Sequence, residues 1–166
     1  MKKRSPISIV ISFIAAVLIF SYLGVGRDGG IFSSNSNVES HTLLENGVYT
    51  SVDDVAQYIF EYHRLPKNYI TKDKAKSLGW DPEKNYLGDV APLMSIGGDK
   101  FGNFEGKLDK KQGRKYYEAD IDYDGKERNA KRIVFSNDGL IYYTDDHYNT
   151  FELLYDEGGK NDYKSK

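Results

Sequence analysis

Hydrophobic spacing changes character along this chain, and the order of that change constrains the fold most. Val52, Val55, Ala56, Ile59 and Phe60 fall at helical spacing. Ser51, with Asp54 three residues on, predicts the N-cap of that helix. Leu65-Pro66 disfavours continuation, so the helix should stop near His63. Thr71 predicts the cap of a second, shorter helix ending at Gly79, and a brief third helix covers Tyr86 to Ala91. From Lys115 to Ile121 the spacing alternates instead. Tyr117, Ala119 and Ile121 take one face and Tyr116, Glu118 and Asp120 the other. Arg132 to Ser136 and Leu140 to Thr144 flank Asn137-Asp138-Gly139, a hairpin signal, and Thr150 to Leu154 supplies a last strand. Helices first and strands later predict an α+β fold with a mainly antiparallel sheet.

The ends differ from this middle. Lys2, Lys3 and Arg4 precede Ile7 to Leu23, seventeen residues with no charge and three serines. Residues 1–26 therefore read as a signal peptide or a membrane anchor; the length falls between the two. Either way the basic start places the N-terminus inside and the domain outside, secreted or anchored. Residues 27–45 are rich in Gly, Ser and Asn and read as a flexible linker. Residues 46–155 form the expected domain and 156–166 a frayed polar tail.

The chain has no cysteine, which excludes disulfides and cysteine-based metal sites. Its core must hold it, and about 110 residues suffice for one. The net charge is −2; without Lys2, Lys3 and Arg4, 20 cationic side chains face 25 acidic ones, giving −5. That sign argues against tight non-specific binding to nucleic acid. Any nucleic-acid chemistry must then rest on a local cationic site. The 14 tyrosines suit base stacking but serve equally as core and surface residues.

Two motifs point away from their first impression. Asp120-Ile121-Asp122-Tyr123-Asp124-Gly125 imitates the start of a calcium loop, but loop position twelve is Lys131 where a bidentate Glu is needed. Ser95-Ile96-Gly97-Gly98-Asp99 and the glycines that follow match neither a P-loop nor a dinucleotide fingerprint, and predict a tight loop. A third constellation carries chemistry. Glu118 lies on the polar face of the first long strand and His147 follows the hairpin. A carboxylate and an imidazole suit general base and acid work near neutral pH. Cleaving RNA through its own 2′-hydroxyl needs one of each, on opposite sides of the phosphorus. The transition state also needs fixed positive charge, for which Arg128 and Arg132 are candidates. From the residues alone, a merely solvated His147 is the commoner outcome.

Ordered stretches along residues 46–151 then carry a resemblance. They are Tyr62-His63-Arg64-Leu65-Pro66-Lys67-Asn68-Tyr69-Ile70-Thr71-Lys72, Leu78-Gly79-Trp80, Asp89-Val90-Ala91-Pro92 and Ser95-Ile96-Gly97-Gly98-Asp99. Glu105-Gly106-Lys107-Leu108, Glu118-Ala119-Asp120-Ile121, Arg128-Asn129, Arg132-Ile133 and Asp146-His147-Tyr148 follow with near-identical gaps. Together they resemble the barnase- and binase-type guanyl-preferring extracellular ribonucleases of bacilli. The resemblance implies a microbial ribonuclease fold, N-terminal helices packed on a twisted antiparallel sheet of about five strands, with the site on its open face.

The resemblance also implies roles. Glu118 matches the general base and His147 the general acid of a reaction that passes through a 2′,3′-cyclic phosphate. Lys72, Arg128 and Arg132 match the cations around the scissile phosphate, and Tyr148 an aromatic beside the substrate. Phe101, Gly102, Asn103, Phe104 and Glu105 match the guanine site, with Glu105 accepting from the base edge. RNA is the implied substrate, because the 2′-hydroxyl is the nucleophile. No metal and no cofactor is implied, and the chain is expected to be a monomer. His63 matches as well, but in a structural place at the end of the first helix, where an imidazolium meets the negative dipole end.

Two residues depart from the pattern. Phe104 stands where these enzymes carry arginine, and Gly102 replaces a serine. Phe104 removes a cationic contact to RNA and to an acidic barstar-type inhibitor, the one protein partner the resemblance implies. A membrane tether through residues 7–23 is the other possible association. Lower positive charge predicts slower electrostatic capture of RNA and a weaker salt dependence.

Overall fold

A computed structural model describes residues 42–160. The leader and most of the linker, with residues 161–166, lie outside the described residues. Helix α1 spans Val52–Tyr62, and the Ser51 hydroxyl accepts from the Asp54 N–H at 3.3 Å. It ends on His63, whose φ of 53° is left-handed and whose N–H donates to the Ile59 carbonyl. Thr71 caps α2 (Lys72–Ser77) in the same manner, accepting from the Lys74 N–H. Helix α3 is a single turn, Leu87–Val90.

Seven strands follow one another across one sheet: β1 (Tyr69–Ile70), β2 (Ser95–Phe101), β3 (Tyr116–Asp120), β4 (Arg132–Ser136), β5 (Ile141–Thr144), β6 (Glu152–Asp156) and β7 (Gly159–Lys160). The expectation of about five antiparallel strands is thus low by two. Strands β2 to β7 pair antiparallel, whereas β1 pairs parallel with β2, so the sheet is mixed. Of the Gly-rich tract predicted as a loop, Ser95 to Asp99 lies in β2, while Gly102 to Gly106 is loop. The β2 register shifts between Gly97 and Asp99, and Gly98 has φ of 93°, so the glycines there serve a bulge inside a strand. The domain also reaches further than residues 46–155. Leu43 is buried, the Glu45 carbonyl accepts from the Tyr58 hydroxyl, and Asp156 pairs with Gly159 where a frayed tail was expected.

The sheet separates two cores because strand side chains alternate. On one face Val55, Ala56 and Ile59 of α1 pack on Ile121, Ile133, Ile141 and Leu154. On the other, Leu108, Tyr116, Val134, Leu140 and Tyr142 cluster, with Phe101, Tyr148 and Phe151 packed against them. A third cluster seats α2 and α3 through Ala75, Trp80, Leu87 and Ile96. The second face is the one that carries Glu118, directly opposite Val134 in register.

Arg114, leading into β3, grips Asp138 of the β4–β5 turn through Nε and Nη2 at 2.8 Å each, to Oδ1 and Oδ2. The Arg114 guanidinium holds the Asp138 carboxyl at about 2. A depressed folded value means the contribution is present above the unfolded value, near 4, and fades as pH falls toward 2. Asp138→Asn is therefore expected to flatten the acid limb of stability. The proton uptake on unfolding between pH 4 and 2 should fall by up to about one. Urea titrations at several pH values read this directly, and an unchanged slope would contradict the pairing.

Candidate active site

The site begins with the β2 bulge. It turns Asp99 so that Oδ2 accepts from the Lys72 N–H at 2.9 Å, which fixes the first turn of α2 to the sheet. Lys72 then reaches along the sheet, and its Nζ donates to Glu118 Oε1 at 2.5 Å. The Tyr148 hydroxyl donates to Glu118 Oε2 at 2.7 Å. Glu118 is 8% exposed and receives one donor on each oxygen. Each oxygen keeps further lone-pair capacity for a substrate hydroxyl. Burial, and then the Glu118 carboxylate, push the Tyr148 phenol well above its ordinary range. Tyr148 therefore stays a donor at working pH.

Two residues along the same strand face, Asp120 gathers the arginines. Arg128 donates to both of its oxygens, Nε at 2.6 Å and Nη2 at 2.8 Å. Arg132 Nε lies 2.9 Å from Asp120 Oδ1 in an ion pair, without hydrogen-bond alignment. Arg132 Nη1 is held by the Asn129 and Lys131 carbonyls at 2.7 and 2.6 Å. The hydrogen bond to Asp120 raises the Arg128 guanidinium above its ordinary value, and Glu118 contributes in the same direction. So the residues resembling a calcium loop do other work: Asp120 orients two fixed cations beside Glu118.

His147 lies in the loop after β5, exposed, with φ of 58°; Tyr148 follows at 71°. Two consecutive left-handed non-glycine residues are costly and need outside support. Asp146 provides it. Its Oδ1 accepts from the Thr144 hydroxyl and from the N–H groups of Asn149 and Thr150, and Oδ2 accepts from the Thr150 hydroxyl at 2.7 Å. The Thr150 amide and hydroxyl chiefly hold its carboxyl at about 2. The His147 ring lies 5.0 Å from that of Tyr148, the same tyrosine that reaches Glu118.

Across from His147 stands the segment Phe101 to Glu105. Asn103, with φ of 44°, staples it by donating to the Leu108 carbonyl and accepting from the Leu108 N–H. Phe101 packs under Tyr148, with ring centroids 5.3 Å apart. Lys107 joins the two sides: its Nζ pairs with Glu105 at 2.6 Å and donates to the Tyr148 carbonyl at 2.9 Å. A pocket of about 230 Å³ lies between, lined by Phe101 to Glu105, Lys107, His147 and Tyr148. Phe104 is 97% exposed, and its ring covers Gly102 so closely that a Cβ there would come 2.1 Å from it. A side chain at 102 would move the exposed Phe104 ring aside.

Lys72, Glu118 and Tyr148 thus form one hydrogen-bonded chain. Arg128 and Arg132 meet on Asp120, and His147 shares a pocket with Phe101 to Glu105. Sequence reading assigned no role to Asp99, Lys107 or Asp146. All three lie inside the stretches that carry the resemblance; Asp99 and Lys107 bond backbone groups far along the chain, and Asp146 closes its own loop onto Asn149 and Thr150. Asp146→Ala is expected to lower turnover about 100-fold by releasing the His147 loop. The His147 ring resonances should broaden in the NMR spectrum while the urea midpoint holds. Unchanged activity would show that the loop needs no such support.

A carboxylate, an imidazole and three cations gathered at one side of a mixed, mainly antiparallel sheet, with α1 on its other face, are the arrangement of a small α+β nuclease. Comparison with known proteins gives the family. The ribonuclease family model matches residues 53–155. A ribonuclease of Bacillus intermedius is 42% identical over 161 residues, covering 93% of this chain and 99% of that protein. A Bacillus pumilus ribonuclease matches equally, and one of Heyndrickxia coagulans is 54% identical over 107 residues, 64% of this chain and 98% of that protein. The chain belongs to the ribonuclease family and is of the barnase and binase type.

Proposed function

We propose that this chain is an exported endoribonuclease that cleaves single-stranded RNA on the 3′ side of guanosine. Glu118 takes the 2′-hydroxyl proton, and the freed oxygen attacks the adjacent phosphorus. His147 protonates the departing 5′-oxygen, leaving a 2′,3′-cyclic phosphate. Water then opens that ring, with the two roles reversed. Lys72, Arg128 and Arg132 stabilise the charge that develops on the phosphoryl oxygens. Tyr148 holds Glu118 in place and packs beside the substrate.

The observation that carries this reading is the setting of Glu118. It is buried on the sheet, tied to Lys72 on one oxygen and, on the other, to the tyrosine next to His147. Guanine fits the pocket beside them. The N–H groups of Phe104 and Glu105 have no protein acceptor among the described residues and suit O6 and N7. Glu105 suits N1–H and the exocyclic amine, in exchange for Lys107. No step calls on a metal, since side chains move both protons and supply the charge. Export is supported by the basic start and the uncharged run Ile7 to Leu23.

Short RNAs that differ at one base test this in excess EDTA. Cleavage is expected only where guanosine is present, at a rate that EDTA leaves unchanged. Equal cleavage after every base would remove the guanine site from the account. Loss of activity in EDTA, restored by a divalent ion, would remove the metal-free mechanism.

A further inference from the structure

Charge is distributed unevenly on this acidic chain. Behind the segment Phe101 to Phe104 lies a cleft of about 750 Å³ lined by Lys100, Lys110, Lys111, Arg114 and Lys115, against the single acid Asp109. Arg114 is committed to Asp138, and Lys111 lies 3.5 Å from Asp138 and 3.8 Å from Glu157. Lys100, Lys110 and Lys115 are exposed and have no ion-pair partner among the described residues. A concentration of unpaired cations on a chain of net charge −2 favours a polyanion at that place.

Phe104 stands on the rim. It lines both this cleft and the pocket beside His147, and 97% of it faces solvent. An exposed aromatic face next to a cationic groove is the arrangement that binds single-stranded nucleic acid, through stacking and phosphate contacts together. With guanine in the smaller pocket and its 3′-phosphate at Glu118, the 3′ strand is assigned to the side of Lys72, which is bonded to Glu118, and the 5′ strand to the wall that the two cavities share.

We propose that the cleft is a subsite for the RNA strand on the 5′ side of the cleaved guanosine. Phosphates lie on Lys100, Lys110 and Lys115, and a base stacks on Phe104. The inference rests on the guanine-site reading of Phe101 to Glu105. It restores by a lateral groove some of the electrostatic capture that the net charge withholds.

The test compares three substrates: a guanylyl-uridine dinucleotide, the same with a short 5′ run of uridines, and the same with a 3′ run. Wild type is expected to gain about tenfold in kcat/KM from the 5′ run at low salt. Lys110→Ala/Lys115→Ala should lose that gain and cleave the dinucleotide normally. The slope of log kcat/KM against log salt for the 5′-extended substrate should become shallower by about 1.4, two phosphate contacts at about 0.7 each. No gain from the 5′ run, or an equal loss on the dinucleotide, would overturn the subsite. If wild type fails to cleave the dinucleotide at all, the ribonuclease reading fails, and binding still decides the subsite. A 5′-extended 2′-deoxyguanosine oligonucleotide, followed by fluorescence anisotropy, should bind the double variant more weakly than wild type. Equal binding would overturn the proposal, as would tighter binding of polyglutamate than of the oligonucleotide, which would assign the cleft to an acidic protein.

Discussion

Glu118→Ala is expected to lower kcat on RNA by about 10³-fold while leaving the protein folded. The size follows from losing a positioned general base, worth about 10²–10⁴ in rate. The fold survives for a local reason. Lys72, the partner on Oε1, keeps 36% of its side chain in solvent and returns to water when the carboxylate goes. Glu118→Gln should be nearly as inactive, because an amide keeps the shape but cannot take the proton. His147→Ala should match it in size, since His147 is exposed. Near-normal turnover in purified Glu118→Ala would remove Glu118 as the base.

Asp120→Ala should do the reverse and cost the fold. Asp120 and Arg132 have side chains only 2% and 3% exposed, and Arg128 adds a second guanidinium at 27%. Removing the acid leaves the Arg132 charge buried without its counter-ion, a change that costs about 3–5 kcal/mol. Such a loss is a large share of the about 5–15 kcal/mol that holds a domain of this size. A urea midpoint that moves by an amount worth under about 1 kcal/mol would show that Asp120 is not the organising acid. Glu118 and Asp120 are two residues apart on one strand face, and they separate the two uses of a buried carboxylate. One has a charged partner that water can take over; the other neutralises a guanidinium that is nearly enclosed.

The helices were legible because their signals are local. Ser51 and Thr71 cap where they were expected, and the 3.6-residue spacing of Val55, Ala56 and Ile59 faces the sheet. The β4–β5 hairpin was legible for the same reason, from Asn137-Asp138-Gly139. Strand β2 was not, since Gly97 and Gly98 read as loop residues. A tertiary demand decides them. A Cβ at Gly97 would come 2.7 Å from the Tyr69 ring and 3.0 Å from Ala119, so neighbouring strands require glycine there. Strand β1 is two residues long, and its parallel pairing with β2 leaves no periodicity to read. At the site, residue type and spacing alone left Glu118 and His147 as a strand carboxylate and a loop histidine. The family resemblance joined them. The supporting contacts of Asp99 and Lys107 needed coordinates, because each is a side chain bonded to a backbone group 27 or 41 residues away, whereas Asp146 bonds within its own loop.

The proposed acid and base make one product signature that other nuclease chemistries do not share. Residues 42–166 should be incubated with an RNA containing a single internal guanosine, sampled early, and the fragment masses measured. The expected 5′ fragment ends in guanosine 2′,3′-cyclic phosphate, converting later to the 3′-phosphate, and its partner carries a free 5′-hydroxyl. A 5′-phosphate on the downstream fragment, or a cut with no cyclic intermediate, would contradict attack by the 2′-hydroxyl and with it the roles of Glu118 and His147.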